Sequence, residues 1–254
     1  MMRFYKSDAS CMRTIIGANG KERTPSIADA RKLWLFPSVT TVMDVQAKTA
    51  LIEWLLQELL NAAVENPYHP HEWGEADWRK AMLAKMRTKS RVAADRGTQI
   101  HGKLDAFFNG VSIDSDEDKP YIQPALSLIE KTFGLDGWVS EKSFAATEWG
   151  FAGCVDLHHP TKNIVIDFKT KGKEDLKSVK QYDSHKMQLA AYQVGLGMPN
   201  NTRRFNLFIG VNENNPGVCS LLECTEFDRY WNMFYNLLMF WISKNKYDPR
   251  VHQL

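Results

Sequence analysis

The residues with the clearest chemical potential are Asp156, Asp167 and Lys169, in the segment GFAGCVDLHHPTKNIVIDFKTK that spans 150–171. Ten residues separate the two acids, with His158-His159-Pro160-Thr161-Lys162-Asn163 as the turn between two strand-like runs. A hairpin brings adjacent strand ends side by side, so both carboxylates can share one end of the sheet. Lys169 stands two residues beyond Asp167, and the period of two in a strand puts its amine on the same face. Like charges opposed in a sheet repel, and the pKa of one of them rises. A hard divalent cation removes that repulsion, and oxygen ligands select Mg2+ or Mn2+ over zinc. A lysine beside such a centre steadies an anionic nucleophile or a phosphorane-like transition state, as metal-assisted phosphodiester hydrolysis requires. By spacing alone, a solvated hairpin with a paired Asp and Lys satisfies the same pattern.

The elements that must hold these residues follow from hydrophobic periodicity. Asp156 is expected at the end of a strand over 150–157, and Asp167 near the end of one over 163–169, where Ile164, Val165 and Ile166 form a short buried run. Another strand is predicted over 138–145. After the acids come a helix over 184–196 and strands over 204–211 and 217–224, the strands joined through Asn214-Asn215-Pro216-Gly217. A last helix, capped by Thr225 with Asp228 three residues on, runs to about Lys244. Before residue 135 the texture is mostly helical. Pro37-Ser38 opens one stretch over 39–64, with Leu51, Trp54, Leu55, Glu58 and Leu59 as its inward stripe. A second helix runs from Glu75 to Phe108, with Gly97 as a candidate break, and a third from Pro120 to Lys131. The expected division is a mostly helical region over 1–134 and an α/β domain over 135–254.

IVIDFKTK resembles the active-site strand of the PD-(D/E)xK nuclease superfamily, and GFAGCVD is similar to the first-acid motif of its RecB-type exonuclease branch. Val155 replaces the proline of the family's name. Two further signatures of that branch are matched in order. His101, within Arg96-Gly97-Thr98-Gln99-Ile100-His101, resembles its upstream histidine, and Gln188-Leu189-Ala190-Ala191-Tyr192 resembles its QxxxY helix, where i and i+4 share a face. The likeness covers 96–192. It implies a restriction-endonuclease-like α/β core, a mixed central sheet flanked by helices, with the N-terminal helical region contributing His101.

The activity so implied is that of a metal-dependent DNA exonuclease, in preference to an endonuclease, in recombination, repair or replication, similar to compact stand-alone phage enzymes. In the implied site Asp156, Asp167, the main-chain carbonyl of Phe168 and His101 hold Mg2+ or Mn2+, with Glu141 as a less specific additional ligand. Asp156, Asp167 and Lys169 are the catalytic set. Gln188 and Tyr192 position DNA, and Lys171 and Lys173 steer phosphates from the dense lysine run after the strand. The implied partners are DNA and a single-strand-annealing or helicase protein, and the implied location is the cytoplasm, bacterial for a phage-encoded enzyme. The competing class is a DNA-binding or recombination-accessory module whose site no longer turns over, which the full motif set disfavours. A two-carboxylate glycosidase would leave Lys169 and His101 without a role.

Composition sets the outer limits. With 254 residues, 24% charged and 44% hydrophobic, the chain is neither disordered, collagenous nor a disulfide scaffold. A formal charge of +2 excludes nucleic-acid binding through overall basicity and leaves only a local patch. Cys11, Cys154, Cys219 and Cys224 fit a reducing compartment, and they miss the one-upstream, three-clustered pattern of relatives that hold an iron-sulfur cluster, so none is expected. His69, His71, His158 and His159 read as loop residues. Trp34, Trp54, Trp73 and Trp78 read mostly as core, with one or two open to stacking on unpaired bases. The N-terminal residues have no apolar h-region, and the longest aliphatic or aromatic run, Leu237 to Ile242, is far short of a membrane span.

Overall fold

The computed structural model describes residues 2–72, 74–112, 117–172, 176–214 and 216–251. The chain divides into two compact units, one of Met1–Gln46 with His101–Leu254 and one of Ala47–Ile100. A boundary after residue 134 is therefore not where the compact units divide. The first 46 residues fall with the main sheet because Phe36–Pro37 and Val39–Met43 pack against it.

The region 1–134 is mostly helical as expected, but ahead of the first predicted helix it begins with four two-residue strands: β1 (Phe4–Tyr5), β2 (Cys11–Met12), β3 (Ile15–Ile16) and β4 (Glu22–Arg23). Such strands are too short to display a period of two. Helix α1 (Ile27–Leu33) follows a capping box in which the Asp29 amide donates to Ser26 Oγ and the Ser26 amide donates to Asp29 Oδ2. Strand β5 (Phe36–Pro37) then pairs with β1, giving a small sheet in the order β2-β1-β5. Ser38 caps α2 (Val39–Met43), its Oγ accepting from the Thr41 amide at 3.1 Å.

The single helix expected over 39–64 is two, because α2 ends at Asp44 and α3 (Thr49–Glu65) starts afresh. The next helix, α4 (Glu75–Phe108), passes through Gly97 without a break. Within the Ala47–Ile100 unit, Lys89 pairs with Glu58 at 3.0 Å and the Trp78 indole donates to the Asn66 carbonyl at 2.7 Å. Leu51 and Trp54, predicted to face inward, are exposed, and Ala62 is the buried residue of α3. Trp34 is also exposed and Trp78 is partly buried, so none of these three tryptophans is a buried core residue; Trp73 lies outside the described residues.

Helix α5 (Lys119–Phe133) leads into the main sheet, formed by β6 (Val139–Ala146), β7 (Phe151–His159), β8 (Ile164–Lys171), β9 (Arg203–Gly210) and β10 (Cys219–Cys224). Its order is β10-β9-β8-β7-β6, with β8 and β9 parallel and every other pair antiparallel. The fold is thus mixed α/β around a mixed five-stranded sheet. Helix α6 (Asp183–Gly195) makes the crossover that two parallel neighbours require. Strand β8 is central, so Ile164, Val165 and Ile166 are buried as a continuous run. Asn163, at φ 53°, makes the left-handed turn of the predicted hairpin. Strand β7 continues past the expected end, which puts Asp156 in mid-strand and makes His158 and His159 buried strand residues rather than loop residues.

The last helix, α7 (Phe227–Asn245), buries Tyr230, Phe234, Leu238 and Trp241 against α6 and α2. Its N-cap is Glu226, not Thr225, and makes no side-chain cap bond. Among the described residues no helix is long and apolar enough to cross a membrane.

Candidate active site

The site grows from the register of the central strands. In β8 and β9, Asp167 stands opposite Asn206. In β7 and β8 the last paired residues are Leu157 and Ile166, and one step further along that register Asp156 faces Asp167. In β6 and β7 the pairs Ser140–Leu157 and Lys142–Val155 flank Glu141 and Asp156. Glu141, Asp156, Asp167 and Asn206 therefore come level with one another across four adjacent strands, and of these neighbours Asp167 and Asn206 are paired in the ladder and share a face.

The strands separate where the acids meet. Beyond Leu157–Ile166 the main-chain ladder of β7 and β8 stops, and Asp156 Oδ2 accepts instead from the Phe168 amide at 2.7 Å. Its Oδ1 faces His101 Nδ1 at 3.4 Å, and the imidazole edge packs on the Phe168 ring. Burial alone would raise the Asp156 carboxyl, but the His101 hydrogen bond and charge, with Lys169 and the Phe168 amide, bring it below the usual range. Burial works against the His101 imidazolium, and Asp156 and Asp167 overcome it, so its pKa is raised.

Asp167 is 1% exposed. Its Oδ2 receives Lys169 Nζ at 2.5 Å and Asn206 Nδ2 at 2.7 Å. Burial and the nearby Asp156 charge outweigh the lysine and push its carboxyl up to about 6. Lys169 Nζ also donates to Gln188 Oε1 at 3.1 Å, and Gln188 Nε2 donates to Tyr192 Oη at 2.6 Å. The predicted i,i+4 pair on α6 does face the site. Gln188 and Tyr192 are buried, however, so they brace Lys169 from within rather than present an open surface to a nucleic acid. Gly153 makes room for this arrangement: a Cβ there would lie 2.8 Å from the Phe144 ring and 3.4 Å from that of Tyr192.

The outer candidates are less tightly joined. Glu141 has φ 46°, and its Oε2 accepts from Cys154 Sγ at 3.1 Å; burial raises its carboxyl. Lys171 continues the face of Asp167 and Lys169, with its amine 5.3 Å from the centroid of the half-exposed Tyr182 ring. Behind Tyr182 lies His185, whose imidazole is driven down to about 3 by burial and then by Lys169 and Lys171. Lys173 falls outside the described residues. Sequence reasoning missed Asn206 and Gln181. The signal for Asn206 was an amide inside the apolar run Arg203–Gly210, where a buried polar side chain must have partners.

The donor chemistry suits a hard cation. Two carboxylates withdrawn from water sit side by side, and both donors to Asp167 fall on Oδ2, none among the described residues on Oδ1. Among the described residues no group of three or more His, Cys, Asp and Glu side chains is assembled to hold a metal unaided. His101 is engaged with Asp156, and Glu141 with Cys154. A site of one or two carboxylates completed by water and substrate phosphate is the usual arrangement for Mg2+.

No protein-family model and no curated protein sequence matches the chain. A solved structure described as "Crystal structure of SSO0001" is similar over 75% of this chain and 86% of that one, at 14% identity and a TM-score of 0.32.

Proposed function

We propose that this protein is a metal-dependent DNA exonuclease with a restriction-endonuclease-like core. The observation that carries the reading is the ammonium of Lys169, held between Asp167 Oδ2 and Gln188 Oε1 beside the point where β7 and β8 part. Asp156, Asp167 and the Phe168 carbonyl are the groups that would hold Mg2+ or Mn2+, flanked by His101 and Glu141. A bound cation supplies a water of lowered pKa and offsets phosphate charge.

The chain's own contribution is position and charge. The Phe168 amide fixes Asp156, and the Gln188–Tyr192 pair fixes the Lys169 amine in one direction. An amine so held stabilises negative charge that develops on a phosphoryl oxygen without reorganising during the reaction. Lys171 offers a phosphate contact about two residues, roughly 7 Å, further along the strand. The half-exposed Tyr182 ring beside it offers a face to an unpaired base. The preference for exonuclease over endonuclease action comes from the RecB-type order of His101, Asp156, Asp167, Lys169 and Gln188-x-x-x-Tyr192.

Metal titration against both DNA binding and DNA cleavage tests the reading. The expected result is Mg2+- or Mn2+-dependent hydrolysis that Lys169→Ala lowers by at least about 100-fold, with DNA affinity within a few-fold. Binding without hydrolysis in either metal would instead assign the fold to an accessory module.

A further inference from the structure

We infer that Asn206, oriented by Gln181, is a positioning residue that commits one oxygen of Asp167 to the protein and leaves the other for the cation. The inference rests on the nuclease reading and deepens it.

Asn206 is completely buried in the middle of β9, directly opposite Asp167 in the parallel ladder. An amide in that place is unfavourable unless both its ends are bonded. Both are: Nδ2 donates to Asp167 Oδ2 at 2.7 Å, and Oδ1 accepts from Gln181 Nε2 at 3.0 Å. The direction of the chain is dictated by the backbone. Gln181 Nε2 also donates to the Leu222 carbonyl at 3.0 Å, and Leu222 is the β10 residue opposite Asn206. A main-chain carbonyl only accepts, so the Gln181 amide must present its NH2 there. Asn206 must then turn Oδ1 toward Gln181 and its NH2 toward Asp167.

The bonds thus run one way, from Gln181 to Asn206 to Asp167. Lys169 donates to that same Oδ2, so two donors converge on one carboxylate oxygen. Asp167 cannot rotate without breaking both, and its Oδ1 keeps a fixed place. Partners that orient a metal-ligating carboxylate typically account for 10- to 100-fold in metal affinity or activity.

The test is calorimetric titration of the full-length protein with Mn2+, paired with steady-state cleavage of linear DNA. Wild type, Asp167→Asn, Asn206→Ala, Asn206→Leu and Gln181→Ala are compared. The expected result is Mn2+ binding by wild type, loss in Asp167→Asn, and about 10- to 100-fold weaker binding in both Asn206 variants. kcat should fall in parallel, while the KM for DNA stays within about twofold. Asn206→Leu restores bulk without a donor, so rescue of Mn2+ affinity by it would reduce Asn206 to a packing role and overturn the inference. Gln181 is only partly buried, and Gln181→Ala keeps the test open where a β9 variant fails to fold; a loss of at least about threefold in Mn2+ affinity is expected. Wild-type affinity in the Asn206 and Gln181 variants, with Asp167→Asn inactive, would refute the positioning role and leave the nuclease reading standing. A wild type that binds no Mn2+ and cuts no DNA would overturn both.

Discussion

Replacing Asp167 with Asn should stabilise the cation-free protein at neutral pH while it abolishes metal binding and cleavage. The carboxyl is driven up to about 6 by burial first and the Asp156 charge second, from an ordinary 3.8. A carboxyl whose folded pKa is raised binds protons more tightly folded than unfolded, so stability falls as pH rises from about 4 to about 6 and stays lowered above. That interval corresponds to about 3 kcal/mol at pH 7.5. Asn carries no charge to desolvate and can still accept from Asn206 Nδ2, and the shift already includes the opposing pull of Lys169. The net gain is then about 1–3 kcal/mol, or several degrees in Tm at about 2–4 °C per kcal/mol. Thermal unfolding in chelator at pH 4 and pH 7.5 measures it. The account predicts a variant near or below wild type at pH 4 and above it at pH 7.5. A variant less stable than wild type at pH 7.5 would mean that the Lys169 pair outweighs carboxylate burial, and would refute the strained-charge argument for cation binding.

His101→Ala should destabilise the cation-free protein more at pH 5.5 than at pH 8.5. A raised folded pKa gives stability that is complete below about 6.5 and is lost as pH rises through the folded value, and an equal loss at both pH values would exclude a charged His101–Asp156 pair. Gly195→Ala should lower stability by about 1–3 kcal/mol by overpacking, because a Cβ would lie 2.0 Å from the Phe144 ring; urea unfolding with an unchanged midpoint would contradict that. Tyr182→Ala should raise KM for single-stranded DNA about 5- to 100-fold with kcat little changed, as expected for the loss of one stacked base, and an unchanged KM would remove the ring from the binding path.

The central hairpin was legible because its signals are local. Ile164, Val165 and Ile166 mark a strand buried on both faces, and the period of two correctly placed Lys169 beside Asp167. Helix α6 was equally legible, including the shared face of Gln188 and Tyr192, but periodicity could not tell that this face is buried beneath Lys169. Asn206 stayed hidden because its partner lies 39 residues away, and only the strand order sets the two side by side. The N-terminal strands escaped notice because two residues, such as Phe4 and Tyr5, have no measurable period. On α3 the predicted stripe holds in part, with Leu55, Glu58 and Leu59 partly buried but Leu51 and Trp54 exposed: periodicity reports a helix but not what covers it.

The most direct test incubates the purified protein, with Mg2+, Mn2+ or chelator, on end-labelled linear and covalently closed circular DNA, each single- and double-stranded. The account predicts metal-dependent digestion of a linear substrate, intact circles, and no digestion by Asp167→Asn. Digestion of circles would contradict exonuclease action, and no digestion of any substrate in either metal would contradict the nuclease assignment itself.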